Sequence, residues 1–229
     1  MKKINVIIPA RGGSKRIHRK NLANINGKPL LAYTIEVCKL IPNIGRVIVS
    51  TDDFEIADIS VKYGAEIPFM RPKEYGKDSS PDNGFLKHYF SEILCDETLF
   101  LRPTSPFRKP EVIVSAIEKY WKIKDNITGF RSVNPTGDNP YKMFQMTEDN
   151  FCFGFFDDFN GIKDYSNLPR QTFPSAYQAN GYVDIVKRST LFNDMSVYGK
   201  KIYGFITPKT IDIDLPDDLE MANIYARNL

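Results

Sequence analysis

The chain opens with an apolar run, Ile4-Asn5-Val6-Ile7-Ile8, that turns at Pro9 into Ala10-Arg11-Gly12-Gly13-Ser14-Lys15-Arg16, with Lys20-Asn21 close behind. A buried strand that ends in a glycine-paired, cation-dense loop is a common way to build a phosphate cradle. Glycine lets backbone N–H groups approach an anion, and Arg or Lys neutralises it. The spacing excludes the P-loop pattern Gly-x-x-x-x-Gly-Lys-Ser/Thr. It also lacks the Gly-x-Gly-x-x-Gly of a dinucleotide fold, which disfavours an oxidoreductase using NAD.

Apolar runs and helical periodicities alternate over the first 125 residues, which calls for an α/β fold with a parallel sheet covered by helices. The expected strands are residues 4–8, 46–50, 66–70 and 98–101, and the expected helices 30–40, 54–63, 83–94 and 110–122. After that come strand-like pieces at 127–133, 141–146 and 150–155, and a polar segment at 157–174. Helices return at 190–193 and 216–227. The middle therefore reads as a β-rich insertion, around 134–180, on a single domain of 229 residues.

A net charge of +3 from 31 basic and 28 acidic residues is not the basic stripe of a nucleic-acid binder. Cys38, Cys95 and Cys152 are widely spaced and odd in number, and only His18 and His88 accompany them. Neither a disulfide framework nor a zinc site is indicated. The N-terminal apolar run is too short for a signal segment and no stretch reaches ~18 consecutive apolar residues, so a cytoplasmic protein without membrane attachment is expected.

Asp212 and Asp214 follow the strand-like run 202–206. In extended chain they would share one face, with Ile213 toward the core, and two carboxylates so placed suit Mg²⁺ completed by water and substrate phosphates. Asp217 and Asp218 read as caps of the helix near Pro216, and Asp52 with Glu55 as a capping box. No Gly-x-Ser-x-Gly elbow surrounds Ser14 and neither histidine sits beside a nucleophile, which disfavours covalent catalysis.

The segments Ile8–Arg16, Lys20-Asn21, Gly27–Leu30, Val49–Asp53, Pro68–Pro72, Pro103–Pro106, Arg170-Gln171, Asn180-Gly181 and Asp212–Asp214, in that order, resemble the motifs of the acylneuraminate cytidylyltransferases. These enzymes make CMP-sialic acids and related CMP-nonulosonates. The resemblance spans nearly the whole chain. It implies a doubly wound, mostly parallel, Rossmann-like sheet of the nucleotide-diphospho-sugar transferase type, Mg²⁺ on Asp212 and Asp214, and a homodimer in which the insertion reaches the second subunit. The expected substrates are CTP and a sugar acid. The alternatives are a nucleotidyltransferase for another sugar acid or small phosphate acceptor, and a non-catalytic nucleotide-binding module on the same fold.

Carried residue by residue, the resemblance implies that Arg11 and Lys20 hold the triphosphate and the leaving pyrophosphate. Ala10, Gly12, Gly13, Ser14 and Asn21 line the nucleotide, with Arg71 as a further contact and Ser79, Ser80 and Asp82 where the family reads cytidine. Thr104, Ser105, Arg170 and Gln171 fall near the acceptor, with Lys142 and Gln178 as further candidates. Asn180-Gly181 fits either a turn or a backbone approach to the sugar. Lys15, Arg16, Arg19 and Lys28 read as surface charges. Arg102 departs from the family, which usually has Gln there. A cation cannot accept a hydrogen bond and favours a carboxylate or phosphate, so the acceptor is expected to be an anionic sugar acid differing from N-acetylneuraminate in its substituents.

Overall fold

The computed structural model describes residues 2–77 and 79–228. Its strands are β1 (Ile4–Pro9), β2 (Asn24–Ile25), β3 (Lys28–Pro29), β4 (Ile44–Ser50), β5 (Glu97–Phe100), β6 (Gly129–Pro135), β7 (Phe144–Met146), β8 (Cys152–Gly154), β9 (Tyr177–Ala179), β10 (Asp184–Lys187) and β11 (Ile202–Ile206). The α-helices are α1 (Leu30–Lys39), α2 (Phe54–Lys62), α3 (Asp82–Glu92), α4 (Pro110–Ile123), α5 (Arg188–Asn193) and α6 (Pro216–Arg227).

A seven-stranded sheet runs in the order β11-β6-β10-β5-β1-β4, with β9 paired to β6. β1 is parallel to β4 and β5, and β6 to β11; β10 runs against β5 and β6, and β9 against β6. The sheet is thus mixed but mostly parallel. Alternation along β1 sends Val6 and Ile8 to one face, where α1, α2 and α4 supply Leu31, Ile35, Ile56, Ile113 and Tyr120. Ile7 goes to the other, against Phe85, Leu86, Tyr89 and Phe90 of α3. A third cluster joins Ile17, Ile25, Leu30, Ile213, Ala222 and Ala226, so α6 packs against the segment that follows β1.

Two expectations need correction. Residues 66–70 do not form a strand: only Glu66 makes a bridge, to Ile48, because Pro68 has no N–H to continue a ladder. β10, between β5 and β6, was not anticipated, since four residues opening on an aspartate carry little strand signal.

The insertion is an arm. β7 and β8 form an exposed antiparallel hairpin, and Tyr141, Phe156, Phe159, Tyr165 and Phe173 pack as a small aromatic cluster beneath it. Phe144, Met146, Phe151 and Phe153 remain between 51 and 66% exposed.

Candidate active site

β4 and β5 lie on opposite sides of β1, so the chain leaving β1 stands where the strand order reverses. In open α/β sheets, ligands bind in the crevice beyond the carboxyl ends of the strands at such a point. A cleft of about 530 Å³ opens there, lined by Arg11, Ser14, Lys15, Arg16, Lys20 and Asn21 after β1, by Arg71, Tyr75, Lys77, Ser80 and Asp82, by Arg102 to Thr104 after β5, and by Asp214 before α6.

Each cation is set by a local cause. Asn21, almost fully buried, donates from Nδ2 to the Arg11 carbonyl at 2.9 Å, and Arg11 donates to the Lys77 carbonyl at 2.8 Å. Lys20 Nζ donates to the Ile213 carbonyl at 3.0 Å and to Asp214 Oδ1 at 2.8 Å. Arg71 is buried over the Phe85 ring and donates to Ser50 Oγ at 3.0 Å and the Ser50 carbonyl at 2.6 Å. Burial lowers its pKa to about 10, with Asp52 and Asp82 acting in the opposite sense. A guanidinium bonded only to neutral acceptors still gains from an anion.

The glycine pair works differently from expectation. Gly12 spends its N–H on Asp52 Oδ1 at 2.9 Å, and an added Cβ there would lie 2.7 Å from Asp53 Oδ2. The close approach Gly12 permits is therefore to the Asp52-Asp53 corner, and neither it nor Ala10 or Gly13 lines the cleft. Asp53, not Asp52, caps α2, accepting from Ile56 N–H at 3.0 Å, and it also pairs with Arg19. Lys15 and Arg16, expected at the surface, line the cleft, whereas Lys28 pairs with Glu36 away from it.

Asp212 and Asp214 sit in irregular chain rather than on a strand, so the pleat that would aim both one way is missing. Asp214 lines the cleft and Asp212 a neighbouring cavity of about 450 Å³, with Ile213 buried between them. Asp218 Oδ2 accepts from the N–H groups of Asp214 and Leu215, the capping role expected of it.

The acceptor-side candidates divide. Thr104 lines the cleft and its carbonyl accepts from Ile213 N–H at 2.8 Å; Ser105 is fully buried behind it. Arg102 lines the cleft, but its guanidinium is committed to Asp82 and Asp184, which corrects the expectation of a cation open to substrate. Gly181 has φ +61 and an added Cβ would lie 3.1 Å from Arg102 Cδ, so its close approach is to Arg102. Ser80 Oγ donates to the Glu74 carbonyl at 2.6 Å, and Ser79 is exposed. Arg170, Gln171 and Lys142 lie on the arm and Gln178 on β9, none of them lining this chain's cleft. Sequence reasoning missed Arg108. Buried, it donates to the carbonyls of Arg102, Ser105, Gly181 and Tyr182, fastening the 102–105 loop to the start of β10.

A family model described as cytidylyltransferase matches residues 5–223. The N-acylneuraminate cytidylyltransferase of Escherichia coli O18:K1:H7 is 33% identical over 96% of this chain, which spans about half (51%) of that protein's length. The CMP-N,N'-diacetyllegionaminic acid synthase of Legionella pneumophila is 30% identical over 94% of this chain and 93% of its own. Among solved structures, CMP:2-keto-3-deoxy-manno-octonic acid synthetase complexed with CTP superposes over the full length of both chains with a TM-score of 0.74 at 18% identity, a likeness of fold.

Proposed function

The chain belongs to the cytidylyltransferase family, and we propose that it transfers CMP from CTP to the anomeric hydroxyl of a nonulosonic, sialic-acid-like sugar acid, releasing pyrophosphate. The observation that carries this reading is the cleft at the reversal of strand order, where Arg11, Lys20 and Arg71 converge with the carboxylates of Asp82 and Asp214. A triphosphate needs several cations in one concavity, and the ring of donors after β1 supplies them.

Arg11 and Lys20 hold the β- and γ-phosphates and take up charge as pyrophosphate departs, while Arg71 steadies the nucleotide from the floor. Catalysis of this kind is positioning and charge neutralisation more than bond chemistry by side chains. The carboxylate of Asp214 lines the same cleft as the cations, and magnesium shared with phosphates needs only one or two carboxylates. Asp214, at the cleft edge, would hold the ion, with Asp212 of the neighbouring cavity as the second carboxylate; such an ion would supply polarisation of the phosphate under attack. Lys20, paired with Asp214 at 2.8 Å, aims that carboxylate.

The exposed aromatic arm supports a homodimer, in which the arm of one copy covers the cleft of the other and brings Arg170 toward the acceptor carboxylate. No helix among the described residues is long and apolar enough to cross a membrane. The free cysteines support a cytoplasmic setting. The test is pyrophosphate release with each of the four nucleoside triphosphates, crossed with a panel of sugar acids and sugar phosphates. Turnover confined to CTP with nonulosonic acids is expected. Turnover confined to sugar phosphates would overturn the acceptor class, and none with any pair would leave a binding module.

A further inference from the structure

Two aspartates follow β4, and the fold uses them differently. Asp53 caps α2 and pairs with Arg19. Asp52 takes no part in that cap and does not line the cleft. It stands half-buried between two segments that do. Its Oδ1 accepts from Gly12 N–H at 2.9 Å, one residue from Arg11. Its Oδ2 rests on Gly76, one residue from Lys77: a Cβ added at Gly76 would overlap that oxygen and lie 3.0 Å from Asp52 Cγ. Gly76 has φ −95, a backbone open to any residue, so what the position requires is the absence of a side chain. Arg11 in turn donates to the Lys77 carbonyl at 2.8 Å. One carboxylate therefore touches the neighbour of each end of that bridge.

The corner that carries Asp52 is fixed from other directions. Thr51 is fully buried, its carbonyl accepts from Arg71 N–H at 2.7 Å, and its Oγ1 accepts from Asp53 N–H at 3.1 Å. Ala10 N–H donates to the Ser50 carbonyl at 2.9 Å, which joins the same corner to the end of β1. A group mounted on a strand end orients a loop better than one mounted on the loop itself, and an ionised acceptor binds a backbone N–H more strongly than a neutral one. A negative charge near a triphosphate site also repels the ligand. The two effects have opposite signs, which makes them separable.

We propose that Asp52 is a positioning residue for nucleotide binding, clamping the cation loop at Gly12 and the facing segment at Gly76 so that Arg11 is held toward the triphosphate. The inference rests on the cytidylyl-transfer reading. A chain that binds CTP but turns over no acceptor would fail that reading and leave the clamp measurable.

The experiment titrates CTP into the full chain with Mg²⁺ present, by calorimetry, and measures acceptor KM separately by pyrophosphate release. Asp52→Ala is expected to weaken CTP binding roughly 10-fold, the scale of one charge-assisted hydrogen bond, even though it removes a negative charge. Asp52→Asn keeps an acceptor at Oδ1 and should stay within about threefold of wild type. Gly76→Ala, which pushes the carboxylate off its seat, should weaken CTP binding in the same direction, and Asp52→Ala/Gly76→Ala should be no weaker than Asp52→Ala. Arg11→Ala/Asp52→Ala should match Arg11→Ala, because the effect passes through Arg11. Acceptor KM should be unchanged throughout. Unchanged or tighter CTP binding in Asp52→Ala would mean that the carboxylate acts only as a repelling charge, and Asp52→Asn as weak as Asp52→Ala would mean that its acceptor oxygen is not what matters. Additive losses in either double variant, or unchanged CTP binding in Gly76→Ala, likewise overturn the clamp. Gly76→Ala leaves Asp52 in place and carries the test alone where Asp52→Ala does not fold.

Discussion

Replacing Arg108 with Met removes a guanidinium and leaves a side chain of similar length in its place. Arg108 donates five hydrogen bonds, to the carbonyls of Arg102 and Ser105 at 2.5 Å, of Tyr182 at 2.6 Å and of Gly181 at 3.0 Å, and to Thr34 Oγ1 at 2.9 Å. All five acceptors are uncharged, and burial lowers the Arg108 pKa to about 10. Hydrogen bonds from a charged donor contribute about 1.5–3 kcal/mol each, and a buried acceptor left unpaired costs about 1–3. The guanidinium's own desolvation, several kcal/mol, offsets much of that sum. The expected net loss is about 3–5 kcal/mol, a large part of the 5–15 kcal/mol typical of a folded domain. At about 2–4 °C per kcal/mol for a chain of this size, the melting temperature should fall by roughly 10 °C. Arg108→Lys, which keeps the charge and reaches fewer carbonyls, should recover only part of it. Where the Met variant folds, acceptor KM should rise more than CTP KM, since the loop it fastens carries Arg102 and Thr104. A Met variant within about 1 kcal/mol of wild type in urea unfolding would refute the reasoning, because the five bonds would then be worth no more than the desolvation they offset.

Asp214→Asn should lower kcat at least roughly 100-fold, as expected when several kcal/mol of charge stabilisation are lost, with Asp212→Asn behaving alike if both hold the ion; magnesium titration of each variant checks it. Arg11→Ala and Lys20→Ala should raise the KM for CTP, while Lys28→Ala, paired with Glu36, should be near neutral; equal effects in all three would mean only a generally attractive basic surface. Burial pushes the Cys38 thiol up from 9.0 to about 12, so the folded chain keeps the proton that the unfolded chain gives up first. That contribution is complete below pH 9 and is lost as pH rises through about 12. Cys38→Ala should therefore flatten the alkaline decline in urea midpoint, and an unchanged decline would remove Cys38 as a cause.

Strands with strong apolar runs, β1, β4 and β5, and all the long helices were legible because their periodicities reflect burial against a sheet. β10 was not, since Asp184 is a core residue only by virtue of Arg102, Ser132 and Tyr198, which are distant in sequence. The cations of the cleft were legible from the loop after β1, but what each one bonds was not. The pairing of Lys20 with Asp214 links positions 194 residues apart, and that a surface-type cation such as Lys15 lines a cleft depends on residues as distant as Arg102 and Asp214 closing the same cleft. Arg108 left no signal because four of its five partners are carbonyl oxygens, which every residue has, and the fifth, Thr34, is 74 residues away.

Ile213 has a mechanical meaning. Its side chain is lodged with Ile17 after β1 and with Ala222 and Ala226 of α6, and its N–H is bonded to the Thr104 carbonyl. The cation loop, the Asp214 carboxylate and the 102–105 turn thus hang from one peg and share their degrees of freedom. When the cleft breathes, these three sides must travel as one piece, with their spacing unchanged.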